Sequence, residues 1–464
     1  TPSEKEVMQV LETVNKKEIQ PYIDKVSDQP LVSNVPTPAT IIEQKDLSEI
    51  AVTQWKLSNG VRVILKPTDF KNDEILFTSY SPGGNSLIDD KDYIAGSTAS
   101  TVIQEGGLSN FDQITLQKML QGKIVSVFPF ISELEEGLSG SSSPSDLETM
   151  FQLIYLYFTA PRIDSATYLA YQSRIRGILQ NRSARPESAF EDTIQVTMAQ
   201  HHPRRRPWTE AILDEMNLNK SFAFYKDRFS DASDFTFFLV GNFKLDEIKP
   251  LVLTYLGGLP SKHRQEQWRD IGVKPPKGMI TKTIKKGLEP KSQVRIIFSG
   301  PFDWSRENRH AIQSMASVLR IKLREVMREE KGGVYGVGVS ASSWQYPTKE
   351  YRLTISFGCA PERVDELVSA ANEQIDSLRK YATTDIYITK VKEMQRRERE
   401  VNLKENRFWL NSLNFYYSNE EDPLDILKYD QLIESVSKNL VQKTAQQYFI
   451  DTNFVKVVLF PQEK

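Results

Sequence analysis

The feature that most constrains this chain is that it matches itself. "FTSYSPGG" pairs with "IIFSGPFD", which sets Pro82 against Pro301, and "SPSDLETMFQL" pairs with "APERVDELVSA", which sets Pro144 against Pro361. "DSATYLAYQSRIRGILQ" pairs with "DIYITKVKEMQRRERE", setting Asp164 against Asp385, and "FTFFLVG" pairs with "FVKVVLF", setting Phe235 against Phe454. Any one match is weak, but four in the same order at a separation of about 219 residues require the intervening elements to be shared as well. The pattern predicts an α+β fold class: two repeated units of about 200 residues, each a mostly antiparallel sheet with helices packed on one face, the two related by a pseudo-twofold axis.

Punctuation places the unit boundaries. Residues 30–50 hold three prolines and no periodic apolar face, as in a linker. Ahead of them "TPSEKEVMQVLETV" reads as an amphipathic helix capped by Ser3, and its abrupt start at Thr1 reads as a segment of something longer. "WKLSNGVRVILK" reads as a β-hairpin whose Asn59 and Gly60 supply the two positive-φ residues of a primed turn. Gly, Pro and charge mix without an apolar face over residues 257–280. The expected organisation is a tail and linker over 1–50, a first repeat over 51–262, a connection over 263–280 and a second repeat over 281–464.

Composition removes whole classes of partner. Fifty-nine Lys and Arg against sixty-one Asp and Glu leave a net charge of −2, with no global pull toward nucleic acid or anionic lipid. The local exception, "HHPRRRP" at 201–207, reads either as an anion site or as a solvated loop. No apolar run reaches the roughly 18 residues of a membrane span, so a soluble chain without membrane insertion is expected. A single cysteine, Cys359, rules out an intrachain disulfide or a multi-cysteine metal site and reads as a structural thiol.

The usual chemistry is missing. His201, His202, His263 and His310 have no metal-ligand spacing with an acidic partner, "GLSGSSSPSD" lacks a nucleophile elbow, and no glycine-rich stretch has phosphate-loop spacing. What remains is "REEKGGVYGVG". Apolar positions from Ile312 to Val326 recur at helical spacing, so a helix over about 308–330 carries Arg328 in its last turn. Gly332 and Gly333 end it, and a strand follows in which Tyr335, Val337, Val339 and Ala341 share a face. A guanidinium and a phenol thus meet at one rim and could hold a carbonyl or an oxyanion. Equally, the arginine could serve the helix dipole and the tyrosine could sit half-buried on the sheet.

"REEKGGVY" resembles the Arg/Tyr element of the pitrilysin, or insulinase, family of zinc metallopeptidases, in which the two residues reach from the non-catalytic half toward the zinc centre of the other half. "WKLSNGVRVILK" resembles the strand that opens each family half, "TAPRIDSATYLAYQSRIRGILQ" resembles a long helical region, and "FYKDRFSDASDFTFFLVGNFKLDEIKPLVLTYLGGLP" resembles the end of a family domain. The likeness covers about residues 50–464 and is nearest to bacterial single-chain members. The family's catalytic half carries an H-x-x-E-H zinc motif on an early helix. The matching helix here, "DYIAGSTASTVIQEGG", has no histidine.

The resemblance therefore implies the zinc-free C-terminal half, with residues 1–50 as the tail of a preceding domain plus linker. It implies Arg328 and Tyr335 as catalytic residues that act on the scissile carbonyl, with no cofactor in this chain and Zn²⁺ in the catalytic half. The implied partners are that half, in the same polypeptide, and a peptide or small-protein substrate, with no nucleic acid; the half alone would be inactive, and a cell-envelope or periplasmic setting follows from the resemblance only. The competing reading is a binding or scaffold protein derived from the same family.

Overall fold

The computed structural model describes residues 3–17 and 28–462; residues 18–27, within the stretch read as tail and linker, lie outside it. Alternating apolar residues make β2 (Val52–Leu57) and β3 (Arg62–Pro67), joined as a hairpin. The turn differs from the primed type expected, because only Gly60 takes a positive φ, +95°. Its N–H reaches the Leu57 carbonyl at 2.9 Å, and the Leu57 N–H reaches Val61 at 2.9 Å, so three residues form the loop and the glycine alone absorbs the twist. Asn59 is committed elsewhere, donating its side-chain amide to the Leu256 carbonyl at 2.9 Å.

β1 (Ile41–Leu47) pairs antiparallel with β2, inside the stretch read as linker. β4 (Ile75–Pro82), β5 (Val125–Ile131), β6 (Glu135–Ser142) and β7 (Thr236–Gly241) complete the first sheet in the order β1-β2-β3-β7-β4-β6-β5. The second sheet holds β8 (Met279–Lys285), β9 (Ser292–Pro301), β10 (Val337–Trp344), β11 (Glu350–Cys359) and β12 (Phe454–Phe460) in the order β10-β11-β9-β12-β8. Without β1 and β2, the first order reads β3-β7-β4-β6-β5 and maps strand for strand onto β8-β12-β9-β11-β10. In both, the parallel pair is the first, β3 with β7 and β8 with β12. The four sequence anchors fall at matching places. Pro82 and Pro301 end strands, Pro144 and Pro361 open short 3₁₀ turns, Asp164 and Asp385 start long helices, and Phe235 and Phe454 lie where β7 and β12 begin.

α1 (Glu4–Asn15) precedes the sheets, closed by a capping box between Ser3 and Glu6, and none of its residues is buried. The first unit adds α2 (Tyr93–Gly106), α3 (Gln113–Met119), α4 (Leu147–Thr159), α5 (Ser165–Ala184), α6 (Pro186–Met198), α7 (Ile212–Glu215), α8 (Leu218–Arg228) and α9 (Leu245–Leu251). The second adds α10 (Arg306–Leu323), α11 (Val364–Tyr381), α12 (Asp385–Asn402), α13 (Asn406–Ser418), α14 (Tyr429–Ser435) and α15 (Lys438–Tyr448).

Each sheet buries one face under its own helices. Leu65, Phe77 and Phe237 pack with Phe151 of α4 and Tyr225 of α8, while Ile296, Leu353 and Ile355 pack with Met315 of α10, Leu367 of α11 and Tyr448 of α15. The opposite faces are covered by exchange. Trp409, Leu410 and Leu413 of α13 pack on Ile64, Leu76 and Phe238 of the first sheet, and Phe190, Ile194 and Met198 of α6 pack on Ile297, Val455 and Val457 of the second. The helices exchanged hold the same place in each repeat, as a pseudo-twofold relation requires, and the exchange locks the units together through apolar burial.

The segment between the sheets is held down by charge. The buried Asp231 carboxylate accepts the N–H groups of Ser233 (3.0 Å), Lys262 (2.9 Å) and Arg264 (2.7 Å). Against the opposing effect of burial, these bonds hold its carboxyl down to about 2. Arg228, also buried, lies between Glu136 of β6 at 3.8 Å and Glu266 of the connecting segment at 3.0 Å.

Candidate functional site

The corner carrying Arg328 and Tyr335 is built from the helix end outward. α10 widens into a π-type turn over Arg324–Glu330, where the Lys331 N–H reaches back to the Val326 carbonyl at 3.0 Å. Gly332 then takes φ +56°, which glycine adopts without a Cβ clash, and the Gly333 N–H bonds the Met327 carbonyl at 2.9 Å. A Cβ on Gly333 would come within 2.7 Å of Leu367 Cδ2, so the second glycine serves close packing on α11. From α11's side, Arg363 donates to the Lys331 carbonyl at 3.2 Å and Glu366 pairs with Lys331 at 3.1 Å.

Tyr335 does not sit on the strand face expected for it. Pairing begins at Val337, opposite Phe357, so Tyr335 lies ahead of the ladder. Val334 is anchored in the core at 7% exposure, and the chain direction at that anchor turns the next side chain outward, leaving Tyr335 94% exposed. Val337, Val339 and Ala341 do share an inward face. Arg328 is exposed as well, and its guanidinium carbon lies 5.7 Å from the centroid of the Tyr335 ring, within cation–π range. Neither side chain has a hydrogen bond or ion pair among the described residues, so the donors of both remain available.

Tyr335 borders a cavity of about 880 Å³ with Phe190 of α6, the start of β9 and the end of β11. Cys359 lines the same cavity half-buried, and burial pushes its thiol up to about 11. At neutral pH it is therefore a thiol and not a nucleophilic thiolate.

The other sequence candidates resolve differently. "HHPRRRP" is neither a solvated loop nor an open anion site, because each guanidinium has a carboxylate. Arg204, 7% exposed, bonds Asp90 at 2.6 Å and the carbonyls of Asn85 and Ile88 at 2.7 and 2.6 Å; Arg205 pairs with Glu133, and Arg206 with Glu215. His310 is buried in α10 with its ring edge-on to Tyr429 at 5.4 Å. Among the described residues, no group of three or more His, Cys, Asp or Glu side chains could hold a metal ion. On α2 the one acid late in the helix, Glu105, is paired with Arg174, so the donor set there does not fit zinc. No helix among the described residues is long and apolar enough to cross a membrane.

The fold formed by these two α+β units is similar to the folds of solved M16 peptidase domains. Residues 215–394 match the family described as the Peptidase M16 inactive domain. Over that segment the chain is similar to this family, and over most of its length it is similar to PqqL-like zinc proteases. It is similar to the protein named Zinc protease PQQL-like from Arabidopsis thaliana, at 26% identity over 456 residues, covering 93% of this chain and 45% of the plant protein. Its fold is similar to that of the periplasmic protease PqqL from Escherichia coli (TM-score 0.81, 21% identity, 100% of this chain and 51% of that one). It is also similar to the ferredoxin protease FusC in complex with Arabidopsis ferredoxin (TM-score 0.83, 17% identity, 100% of this chain and 51% of that one). The chain spans less than half the length of the curated relatives it matches.

Proposed function

We propose that this chain is the zinc-free half of a zinc metalloendopeptidase and that Arg328 and Tyr335 are the residues it contributes to the reaction. The observation that carries the reading is the corner itself: a 94% exposed tyrosine beside an unpaired arginine, on a turn braced from behind. An exposed phenol with no partner in its own chain gains from a partner surface, and a braced turn fixes where the hydroxyl points. Directed at a peptide carbonyl, the phenol donates one hydrogen bond and the guanidinium supplies positive charge as the oxygen becomes negative. In this reading zinc and the hydrolytic groups come from the other half, which the zinc protease names of the relatives support.

The substrate class that goes with this reading is a peptide or small protein, supported by the complex of FusC with ferredoxin, and the setting is the periplasm or cell envelope, supported by the periplasmic PqqL structure. The test is Tyr335→Phe in the full-length protein. Loss of one such donor should lower kcat by about 10²-fold or more while Tm stays unchanged, because a side chain this exposed contributes little to folding. Unchanged peptide cleavage by Tyr335→Phe would remove the assignment.

A further inference from the structure

A second cavity, of about 730 Å³, opens between the two units and is assembled from several separate parts of the chain, the end of α13 with Glu420 among them. The first unit supplies Tyr80 of β4 and Glu135 of β6, the connecting segment supplies Trp268, and the β10–β11 hairpin supplies Trp344 and Tyr346. Trp268 and Tyr346 lie with ring centroids 5.4 Å apart and planes tilted by 50°, bridging the connection and the second unit. Four aromatic rings line this one cleft together with a few polar groups, and Trp344 is still 43% exposed, the make-up of a ligand-binding pocket.

The charge lining this cleft is one-sided. Five glutamates face two arginines, and most of these groups are already engaged. Glu133 pairs with Arg205, Glu266 pairs with Arg228 and Arg264, Glu350 accepts the Thr348 hydroxyl at 2.9 Å, and Arg352 lies over the Trp344 ring at 5.4 Å. Glu135 and Glu420 have neither an ion pair nor a hydrogen bond to their carboxylates among the described residues. Burial raises the Glu135 carboxyl, the behaviour of a carboxylate withdrawn from water without a cation to compensate it. The Tyr80 phenol is raised first by its own burial, lowered by Arg62 of β3, and raised again by Glu135, Glu420 and Tyr346, so the two carboxylates and the second phenol line the same part of the cleft as Tyr80.

Aromatic faces attract a cation through their quadrupoles, and a desolvated carboxylate at the same point completes the recognition of an ammonium or guanidinium group. We propose that this cleft is a subsite for a lysine or arginine side chain of a bound peptide, its alkyl stem against Trp268 and Tyr346 and its charge against Glu135. The choice of a peptide as carrier of the cation rests on the peptidase reading above; the cation site itself does not.

Binding of two blocked tetrapeptides to the 464-residue protein, identical except for lysine or its neutral analogue norleucine, tests this by calorimetry and by quenching of tryptophan fluorescence. The lysine peptide should bind at least about tenfold more tightly, the scale of a partly desolvated cation–π contact with an added charge pair. Glu135→Gln, with an unchanged far-ultraviolet circular dichroism spectrum, should reduce that preference to about twofold or less, and Trp268→Ala should weaken both peptides. Equal affinity for the two peptides in the wild type overturns the proposal, as does no binding of the lysine peptide at millimolar concentration, or a full preference surviving in Glu135→Gln. The wild-type comparison stands even where a variant does not fold. Because the readout is equilibrium binding, a negative result here leaves the turnover test at Tyr335 intact, and a negative result there leaves this one intact.

Discussion

The exchange of α6 and α13 makes a quantitative claim about cooperativity, and Trp409→Ala tests it. Trp409 is 6% exposed, packs on the first sheet from a helix of the second unit, and donates its indole N–H to the Leu403 carbonyl at 2.9 Å. Truncating a buried tryptophan costs about 3–5 kcal/mol in lost burial and residual cavity. The Lys66 ammonium lies 3.9 Å above the Trp409 ring, donates to the Ile50 carbonyl at 2.6 Å, and is pushed down to about 8 by burial. Water entering the new cavity would rehydrate that ammonium and return part of the loss, which places the net cost near the lower end, about 3 kcal/mol. With a urea dependence of about 3 kcal/mol/M, the midpoint should fall by about 1 M. Circular dichroism and tryptophan fluorescence recorded on the same samples should shift together, because the packing joins the sheets. Separation of the two signals in the wild type, or a change below about 0.5 kcal/mol in Trp409→Ala, would refute the interlocked packing.

Three further outcomes follow from particular groups. Asp231→Asn removes charge from three backbone hydrogen bonds, so it should destabilise the protein by about 2–3 kcal/mol and open residues 261–266 to limited proteolysis, read by mass spectrometry of the fragments. His310 is driven down to about 4, chiefly by burial, with the neighbouring Gln395 amide opposing the shift and the Arg306 charge adding to it. Between its folded value and the ordinary 6.5 the unfolded chain binds the extra proton, so this residue's contribution is intact above pH 6.5 and is lost as pH falls toward 4. His310→Phe, which keeps a ring beside Tyr429, should therefore lose up to about 3 kcal/mol less than the wild type between pH 7 and pH 4 in matched urea titrations. Arg328→Lys keeps the charge but not the planar fork, and kcat of the full-length protein should fall by about tenfold or more at unchanged Tm.

The architecture was legible because duplicated chemistry leaves duplicated punctuation: prolines that end a strand or open a helix turn, acids at helix starts, and aromatic strands mark the same places in both units. β1 was not, because an outer edge strand with only its last residue buried needs no apolar alternation. Nor was the helix exchange, since Phe190 and Trp409 read as ordinary core residues whose partner sheet is set by tertiary topology. Arg204 shows the same limit, its burial depending on carbonyls more than a hundred residues away. At the candidate site the helix end and the left-handed Gly332 were visible in "EEKGGVY". The outward turn of Tyr335 was not, because it follows from where β11 offers a partner and from the anchoring of Val334. The aromatic cleft drew no attention in the sequence, as Tyr80, Trp268 and Tyr346 are distant in the chain and carry no shared spacing.

The proposed role of the Arg328–Tyr335 corner requires it to meet the catalytic half at its reaction centre. The most direct measurement places a photo-crosslinking phenylalanine analogue at position 335 of the full-length protein and maps the products by mass spectrometry, with and without a bound peptide. Crosslinks from position 335 to the bound peptide, or to residues of the other half around its zinc motif, are the predicted result. Crosslinks confined to this chain, or to surfaces of the other half far from that motif, would contradict the account.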